Sequence, residues 1–240
     1  MRQIVRQNAA LRRLYYRLQL LRAKGQSNEA RIIDRLSADA PKTFVEFGFH
    51  PIEFNCISLS RRKDWEGLLI DGNARQVDDA RALYPDRIKM VQSFLTLENL
   101  DFIKSAFAKI GILSIDVDGN DYWFLERLID TRPSVICVEY NSTFGLESIT
   151  VPYDPHFDRH EKHPLGWYHG ASLPALAKLC AAYDYGLAAV SEAGANAFFT
   201  TNGNLDPNAA WKPNSFREHY SSVNHLQQWN LVKHLPFVQV

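Results

Sequence analysis

The distribution of hydrophobic and polar residues changes period repeatedly between residues 43 and 139. Short apolar runs, which are typical of buried strands, alternate with segments whose apolar residues recur at helical spacing. The predicted strands cover residues 43–47, 67–71, 88–91, 112–117 and 135–139, and the predicted helices cover 52–60, 74–83, 97–109 and 122–130. This alternation predicts an α/β fold with a doubly wound, mostly parallel sheet.

The pattern changes after the fifth predicted strand. Residues 142–170 are rich in Pro, His, Asp and Gly, and their aromatic residues indicate an ordered loop or lid. A helix is then predicted over 173–184. Two strands, over 186–190 and 195–200, are expected to pair as an antiparallel hairpin at the edge of the sheet.

The chain therefore divides into three predicted regions. Residues 1–40 hold N-terminal helices, and residues 41–204 form a Rossmann-like domain that includes the lid at 142–170. Residues 205–240 form a polar C-terminal tail for which the pattern gives no specific prediction.

Residues 1–24 are predicted to form a helix with leucines on one side and arginines along its length. Two interpretations are open. In the first, the helix packs on the domain or on a second copy of the chain, and packing on a second copy would form a homo-oligomer. In the second, the helix makes a peripheral contact with a membrane surface. Asn28 is expected to cap a second helix over 29–37.

Composition adds few constraints. The 240 residues are 46% hydrophobic and 22% charged, which is typical of a soluble globular protein with a full core. The formal net charge is zero, so we expect no nucleic acid partner. No secretory signal and no bilayer-spanning apolar run is evident. Three distant cysteines among apolar residues favour buried thiols, and we expect a cytoplasmic protein.

The most informative polar cluster follows the fourth predicted strand. Asp116, Asp118 and Asp121 lie within six residues of one another. Ligands of open α/β sheets bind where the strands end, and crowded carboxylates indicate a cation, a proton or a polar substrate nearby. A purely structural interpretation is that Asp118 and Asn120 cap the helix that follows.

The first predicted strand ends in Glu46 and Gly48. A glycine here lets the backbone approach a ligand, and the next helix presents unpaired amides to that ligand. The full dinucleotide fingerprint is absent, because Phe49, His50 and Pro51 stand where further glycines are expected. Alternatively, Gly48 only makes a tight turn.

The second predicted strand ends in Asp71 and Gly72. An acid about twenty residues beyond the glycine loop commonly accepts hydrogen bonds from ribose hydroxyls. Together with Gly48 it predicts a cofactor that contains adenosine. Ser93 and Phe94 follow the third strand, where an adenine ring is usually held, although Phe94 is equally compatible with the core.

In this arrangement the sequence resembles the class I S-adenosylmethionine-dependent methyltransferases, and among them the FkbM-like family, which is frequent in polysaccharide and natural-product biosynthesis. The resemblance covers residues 43–200. It rests on six segments, which are 44–48 (FVEFG), 67–72 (GLLIDG), 113–123 (LSIDVDGNDYW), 138–141 (VEYN), 151–154 (VPYD) and 169–173 (HGASL).

The resemblance implies S-adenosylmethionine as the cofactor and a small-molecule or glycan acceptor. It also implies a position for each predicted cofactor residue. Glu46 and Gly48 border the methionine part, Asp71 and Gly72 the ribose, Ser93 and Phe94 the adenine, and Asp116 the sulfonium.

Methyl transfer also needs a base that removes a proton from the acceptor. The candidates are Asp118, Asp121, Glu139 and His169. The other histidines of residues 142–170 fit no zinc spacing and are expected to be exposed. His169 differs because it lies just before a helix and can face the crevice.

The same strand ends offer hard oxygen ligands. Asp116 or Asp118 after the fourth strand would meet Glu139 and Asn141 after the fifth. Such a set suits Mg²⁺, which binds vicinal hydroxyls of a sugar or catechol and lowers the acceptor pKa. Catechol-type methyltransferases look similar at these positions. We take Asp118, Glu139 and Asn141 as the candidate metal ligands.

Three functions are consistent with these residues. The leading one is S-adenosylmethionine-dependent O-methylation of a sugar or related polar biosynthetic intermediate. The second is a metal-dependent hydrolase or lyase that uses Asp116, Asp118 and Glu139. The crowded loop at residues 49–51 suggests the third, a non-catalytic binding module on the same fold.

Overall fold

A seven-stranded, mostly parallel sheet forms the centre of the molecule. The computed structural model describes residues 8–20 and 27–240. The strands are β1 (Thr43–Phe47), β2 (Glu66–Asp71), β3 (Ile88–Gln92), β4 (Ile112–Ile115), β5 (Val135–Glu139), β6 (Ile149–Thr150), β7 (Gly186–Val190), β8 (Asn196–Thr200) and β9 (Val238–Gln239). The order in the sheet is β3-β2-β1-β4-β5-β8-β7, and β6 pairs separately with β9.

The predicted α/β class with a mostly parallel sheet is confirmed. Strands β1 to β5 pair with one another in parallel, whereas β8 is antiparallel to both β5 and β7. Strands β7 and β8 thus form the predicted antiparallel edge. The order reverses between β1 and β4, which places a crevice at the carboxyl ends of these two strands.

The described helices surround this sheet. They are α1 (Ala9–Leu20), α2 (Glu29–Leu36), α3 (Ile57–Ser60), α4 (Ala74–Arg81), α5 (Asp101–Lys104), α6 (Asp121–Leu128), α7 (Arg159–Lys162), α8 (Leu173–Ala181), α9 (Pro207–Ala210), α10 (Ser215–Ser221) and α11 (His225–Val232). Short 3₁₀ turns follow α6 at Ile129–Thr131 and β5 at Ser142–Phe144.

Two predicted helices are much shorter than their apolar spacing indicates. The predicted helix over 52–60 is wrong for residues 52–56, which precede α3. There the backbone groups of His50 and Glu53 form hydrogen bonds with each other in a tight turn. The prediction over 97–109 is wrong outside α5. There the Asn99 side chain accepts from the Thr96 N–H at 2.9 Å and donates to the Phe94 carbonyl at 2.9 Å, which holds a turn.

Apolar side chains cover both faces of the sheet, as expected for parallel strands that are buried on two sides. Consecutive residues contribute to opposite layers: Val45 and Leu113 pack on one face, and Phe44 and Ile112 on the other. The three cysteines are free and buried, in agreement with their apolar surroundings in the sequence.

A third apolar cluster joins the lid to the C-terminal tail. Phe144, Trp167 and Tyr168 of the lid pack with Val232 of α11 and with Phe237. The tail, in which no element was predicted, forms α9, α10, α11 and β9. The pairing of β9 with β6 closes this unit. The lid is therefore an ordered segment, as its aromatic content indicates.

Helix α1 attaches to the domain through two arginines and through Leu20, which packs against the core. Arg12 and Arg13 both bind the buried carboxylate of Asp79, which lies on α4. Leu14 and Leu18 are 56% and 60% exposed. A contact of this face with a second copy or a membrane stays a prediction, and residues 1–7 and 21–24 of the predicted helix lie outside the described residues.

The predicted cap of the second helix is only partly correct. Asn28 occupies the position before α2, but its side chain makes no capping hydrogen bond. Its Oδ1 atom accepts instead from the Glu192 N–H at 2.8 Å. Within residues 8–20 and 27–240, no helix combines the length and hydrophobicity needed to cross a bilayer.

Candidate active site

A cleft of about 1150 Å³ opens at the carboxyl ends of the parallel strands. Sites for one small ligand commonly measure about 300–1,000 Å³, so this cleft has room for a cofactor and an acceptor together. The predicted residues that line it are Glu46, Gly48, Asp71, Gly72, Ser93, Phe94, Asp116, Asp118 and Glu139.

Gly48 makes the closest approach between β1 and β4. Its φ angle is +78°, and a Cβ atom placed on it would lie 1.4 Å from the carbonyl oxygen of Asp116. No side chain fits there, and the left-handed backbone also favours glycine. Gly48 therefore brings the first strand end directly against the acid cluster that follows β4.

The Glu46 carboxylate organises the chain after β1. It accepts hydrogen bonds from the backbone N–H groups of Asn55 at 2.7 Å and Cys56 at 2.8 Å. Burial raises the pKa of Glu46 to about 7, although both amides oppose the shift. Asn55 in turn donates to the Ser114 hydroxyl of β4 at 3.1 Å. Glu46 thus fixes the wall of the cleft and has little capacity left for a ligand.

The loop at residues 49–51 does not fill the cleft with side chains. Phe49 is 2% exposed and packs in the apolar core against Phe54. Its backbone N–H donates to Asp71 Oδ2 at 3.2 Å. The absence of further glycines is accommodated because the phenyl ring turns into the core.

Asp71 ends β2 at the edge of the cleft. Its Oδ1 atom accepts from the Asn73 N–H at 2.7 Å, and burial raises its pKa. Phe94 is 61% exposed and its ring lies beside Gly72, where an added Cβ would be 3.2 Å from the ring. The alternative that Phe94 belongs to the core is wrong. Of the cleft residues that the sequence predicts to bind a cofactor, those called the cofactor half below are Gly48, Asp71, Gly72, Ser93 and Phe94.

Asp116 lies where the cofactor half meets the other acids. It lines the cleft, and no hydrogen bond or ion pair within residues 8–20 and 27–240 holds its carboxylate. Burial and the neighbouring charges of Glu139 and Asp118 raise its pKa well above the ordinary value. Asp116 is therefore an unengaged carboxyl group that faces the ligand space.

Asp118 has a left-handed backbone, with φ at +56°, and its carboxylate forms an ion pair with Arg159 of α7. It caps no helix. Asn120 precedes α6 but makes no capping bond either, since its side chain donates to the Asp154 carbonyl at 2.8 Å. The interpretation of Asp118 and Asn120 as helix caps is wrong.

Asp121 does not line the cleft. It is fully buried, and its two carboxylate oxygens accept from the N–H groups of Val117 and Gly119, both at 2.9 Å. Burial and the charge of Glu139 raise its pKa to about 7. This carboxylate shapes the loop after β4, so no acceptor reaches it directly.

Glu139 ends β5 beside an imidazole and two guanidinium groups. Its Oε1 atom lies 3.6 Å from His169 Nε2, which is itself 3.3 Å from Arg217 Nη2. Burial alone raises the pKa of Glu139, but His169, Arg159 and Arg217 together lower it below the ordinary value. Its Oε2 atom has no hydrogen-bond partner in the described part of the chain.

His169 and Asn141 lie behind the cleft wall. The His169 side chain is buried and does not line the cleft, contrary to the expected orientation. Asn141 donates to the carbonyls of Trp167 at 2.8 Å and His169 at 2.9 Å. Its oxygen accepts from the Thr143 N–H at 3.0 Å and from Arg217 Nη1 at 2.7 Å. That oxygen is therefore not available as a metal ligand.

Comparison with known proteins identifies similar folds only. No protein-family model and no curated protein sequence matches the chain. The solved structure of cofactor-bound Rv0187 from MTB is similar over 82% of this chain and 90% of its own, with 12% identity and a TM-score of 0.50. The chain has a Rossmann-like fold. An O-methyltransferase from Bacillus cereus in complex with SAH is similar over 71% of this chain and 76% of its own, with 19% identity and a TM-score of 0.48.

The residues that sequence reasoning missed come from outside the strands of this Rossmann-like fold. Arg159 on α7 and Arg217 on α10 both line the cleft beside Glu139. Asn214 is a recognisable helix cap and accepts from the Arg217 N–H at 2.9 Å, so the helix was predictable. The position of this helix beside the cleft was not predictable. We call Asp116, Asp118, Glu139, Arg159 and Arg217 the acceptor half of the cleft.

Proposed function

We propose that this chain is an S-adenosylmethionine-dependent O-methyltransferase that acts on a sugar or a related hydroxylated biosynthetic intermediate. The observation that carries the proposal is the unengaged Asp116 carboxyl group, which lies between the cofactor half and the acceptor half of one cleft. The FkbM-like assignment stays part of the proposal and rests on the sequence segments quoted above.

The cofactor half supports the donor. Gly48 lines the cleft where β1 meets β4, and Asp71 lies at the end of β2, where ribose hydroxyls are commonly bound. The exposed ring of Phe94 offers a flat surface to an adenine. Ser93 lies beside it and receives its position from β2, since its N–H donates to the Asp71 carbonyl at 3.0 Å.

The acceptor half supports proton removal by Asp116. Burial and the neighbouring carboxylates raise the pKa of Asp116, and a carboxylate with a raised pKa is a stronger base. Of the other candidates, Asp118 is paired with Arg159, and Asp121 and His169 do not line the cleft. Glu139 lines the same half of the cleft, and its Oε2 atom is buried without a hydrogen-bond partner in the described part of the chain.

The outer wall of the cleft supports an acceptor with apolar faces as well as hydroxyl groups. Leu165, Phe216 and Tyr220 line this wall and are 54%, 40% and 83% exposed. Small-molecule sites commonly combine such apolar walls with a few polar groups that fix orientation. A sugar ring or a related cyclic intermediate has this character.

The two other functions lose their support. The binding module was suggested by the crowded loop at 49–51, and that loop turns Phe49 into the core. The metal-dependent hydrolase needs Asp118 and Glu139 as metal ligands, but Asp118 is paired with Arg159 and Glu139 faces Arg217. Mg²⁺ is for the same reason not part of the proposed function.

Calorimetry with S-adenosylhomocysteine tests the proposal. We expect saturable binding that Asp71→Ala weakens and that the matched change Asp78→Ala, at an exposed position away from the cleft, leaves unaltered. Transfer of a radiolabelled methyl group to a panel of sugars and phenols then identifies the acceptor. Absence of binding at millimolar ligand would overturn the proposal.

A further inference from the structure

Three side chains of the acceptor half and its rear wall have the spacing of a divalent metal site. One ligand atom each from Asp118, Glu139 and His169 lies within 4.8 Å of the other two. Carboxylate oxygens and imidazole nitrogens are ordinary metal ligands. The set differs from the one expected from the sequence, because His169 takes the place of Asn141. Spacing alone therefore admits a cation.

Two guanidinium groups already occupy the surroundings of these ligand atoms. Asp118 is ion-paired with Arg159, and Arg217 Nη2 lies 3.3 Å from His169 Nε2. A divalent cation would compete with Arg159 for the Asp118 carboxylate and would lie close to both positive groups. Unlike the exposed surface, this partly buried site screens such repulsion poorly. The donor set therefore does not fit a metal ion.

Neither guanidinium can leave without losing other bonds. Arg159 Nε donates to the Gly166 carbonyl at 3.0 Å. Arg217 Nη1 donates to Asn141 Oδ1 at 2.7 Å and to Thr143 Oγ1 at 2.8 Å, and both of these partners are buried. The two arginines are thus built into the cleft wall by the lid and by the C-terminal tail.

We propose that Arg159 and Arg217 supply the positive charge beside the acceptor oxygen that a divalent cation supplies in metal-assisted methyl transfer, so that this chain requires no metal. This inference rests on the proposed function. The acceptor oxygen forms a bond to the methyl carbon while the carbon–sulfur bond breaks and its electron pair goes to sulfur. The hydroxyl proton goes to the Asp116 carboxylate. The guanidinium groups stabilise the negative charge that develops on the acceptor oxygen.

Manganese binding to the purified chain, followed by calorimetry and by the paramagnetic signal of free Mn²⁺, tests whether the arginines replace a cation. We expect no saturable site in the wild-type protein at millimolar Mn²⁺. Arg159→Gln removes one positive charge and frees Asp118, and this variant should bind one Mn²⁺ at least about tenfold more tightly than wild type, a difference of about 1.4 kcal/mol. Arg159→Lys keeps the charge and should behave like wild type.

The controls separate charge from misfolding and from failure of the proposed function. Asp118→Asn in the Arg159→Gln background should abolish the new Mn²⁺ site. Circular dichroism checks that each variant is folded, and Arg159 is partly exposed, so a change there is tolerated more easily than one at Arg217. Saturable Mn²⁺ binding by wild type or by Arg159→Lys, or none by Arg159→Gln, overturns the inference. Failure of the wild-type protein to bind S-adenosylhomocysteine would instead overturn the methyltransferase proposal.

Discussion

Arg217 Nη1 lies 2.7 Å from Asn141 Oδ1, although the two residues are 76 positions apart in the chain. This hydrogen bond joins the C-terminal tail to the end of β5, where the acceptor half begins. The same guanidinium also donates to Thr143, so a single side chain fixes the outer wall of the cleft to the sheet. The tail is consequently part of the candidate active site.

Replacement of Arg217 by methionine should destabilise the fold. The change leaves Asn141 Oδ1 with one donor fewer and Glu139 with one neighbouring positive charge fewer, which we expect to cost about 2–4 kcal/mol of unfolding free energy. Urea denaturation measures the loss. Tyr220→Ala on the same helix is the control, because that side chain is 83% exposed and its removal should change stability by less than about 0.5 kcal/mol. Equal effects of the two changes would contradict the assignment.

Replacement of Gly48 by alanine should both destabilise the chain and prevent cofactor binding. The new Cβ would meet the Asp116 carbonyl at 1.4 Å, so β1 and β4 must separate, at a cost of at least about 3 kcal/mol. Gly145→Ala is a matched control, since its φ is +58° and nothing lies within 4 Å of the added atom. There we expect only a backbone penalty of about 1–3 kcal/mol, because φ +58° with ψ −128° is a conformation that residues with a Cβ atom rarely adopt. Thermal denaturation and calorimetry with S-adenosylhomocysteine report the two effects.

Replacement of Asp116 by asparagine should remove methyl transfer and leave the fold intact. No protein contact within the described residues depends on this carboxylate, so the melting temperature should not fall. Loss of a general base reduces turnover by about 10²–10⁴-fold. The measurement is the rate with the acceptor found in the panel, together with the affinity for S-adenosylhomocysteine. Turnover that survives in the variant would remove Asp116 from the mechanism.

The stability of the ligand-free chain should fall as the pH rises through the range in which Glu46 titrates. Burial raises the pKa of Glu46 from 4.5 to about 7 in the folded chain. Between these values the folded chain keeps a proton that the unfolded chain has released, so a rise in pH favours unfolding. This contribution is complete below about pH 4.5 and is lost by about pH 7.

Glu46→Gln removes this titration and separates it from the other acids. The variant should lack the Glu46 part of the pH-dependent fall in unfolding free energy. On the acid side of the range it should be less stable than wild type by about 1–3 kcal/mol, because an amide NH₂ cannot accept from the Asn55 or Cys56 N–H. Glu53→Gln, at an exposed position, is the control and should keep the wild-type pH profile.

The central strands β1, β2, β4 and β5 were predictable because their apolar runs are buried on both faces of the sheet. Residues 43–47 and 135–139 were predicted with the bounds that β1 and β5 have. The helices were less predictable where polar contacts compete with periodicity. The Glu46 carboxylate and the Asn99 side chain stabilise turns that the apolar spacing at 52–56 and 97–100 does not record.

The cofactor half was predictable because its residues sit at strand ends, where chain order and sheet order together determine proximity. Gly48 and Asp71 line one cleft as expected. The acceptor half was not predictable in detail. Arg159 and Arg217 reach it from segments without sheet register, and no local pattern indicates which distant carboxylate an arginine will meet.

The contact between Gly48 and the Asp116 carbonyl has a consequence for turnover. It joins β1 to β4 without space for a side chain, so the floors of the two halves of the cleft are held in direct contact. In the proposed reaction, product exchange then depends on the walls of the cleft, namely the lid and α10. A rate of product release that changes with substitutions at Leu165 or Tyr220, while the rate of the chemical step stays constant, is the kinetic behaviour expected of this arrangement.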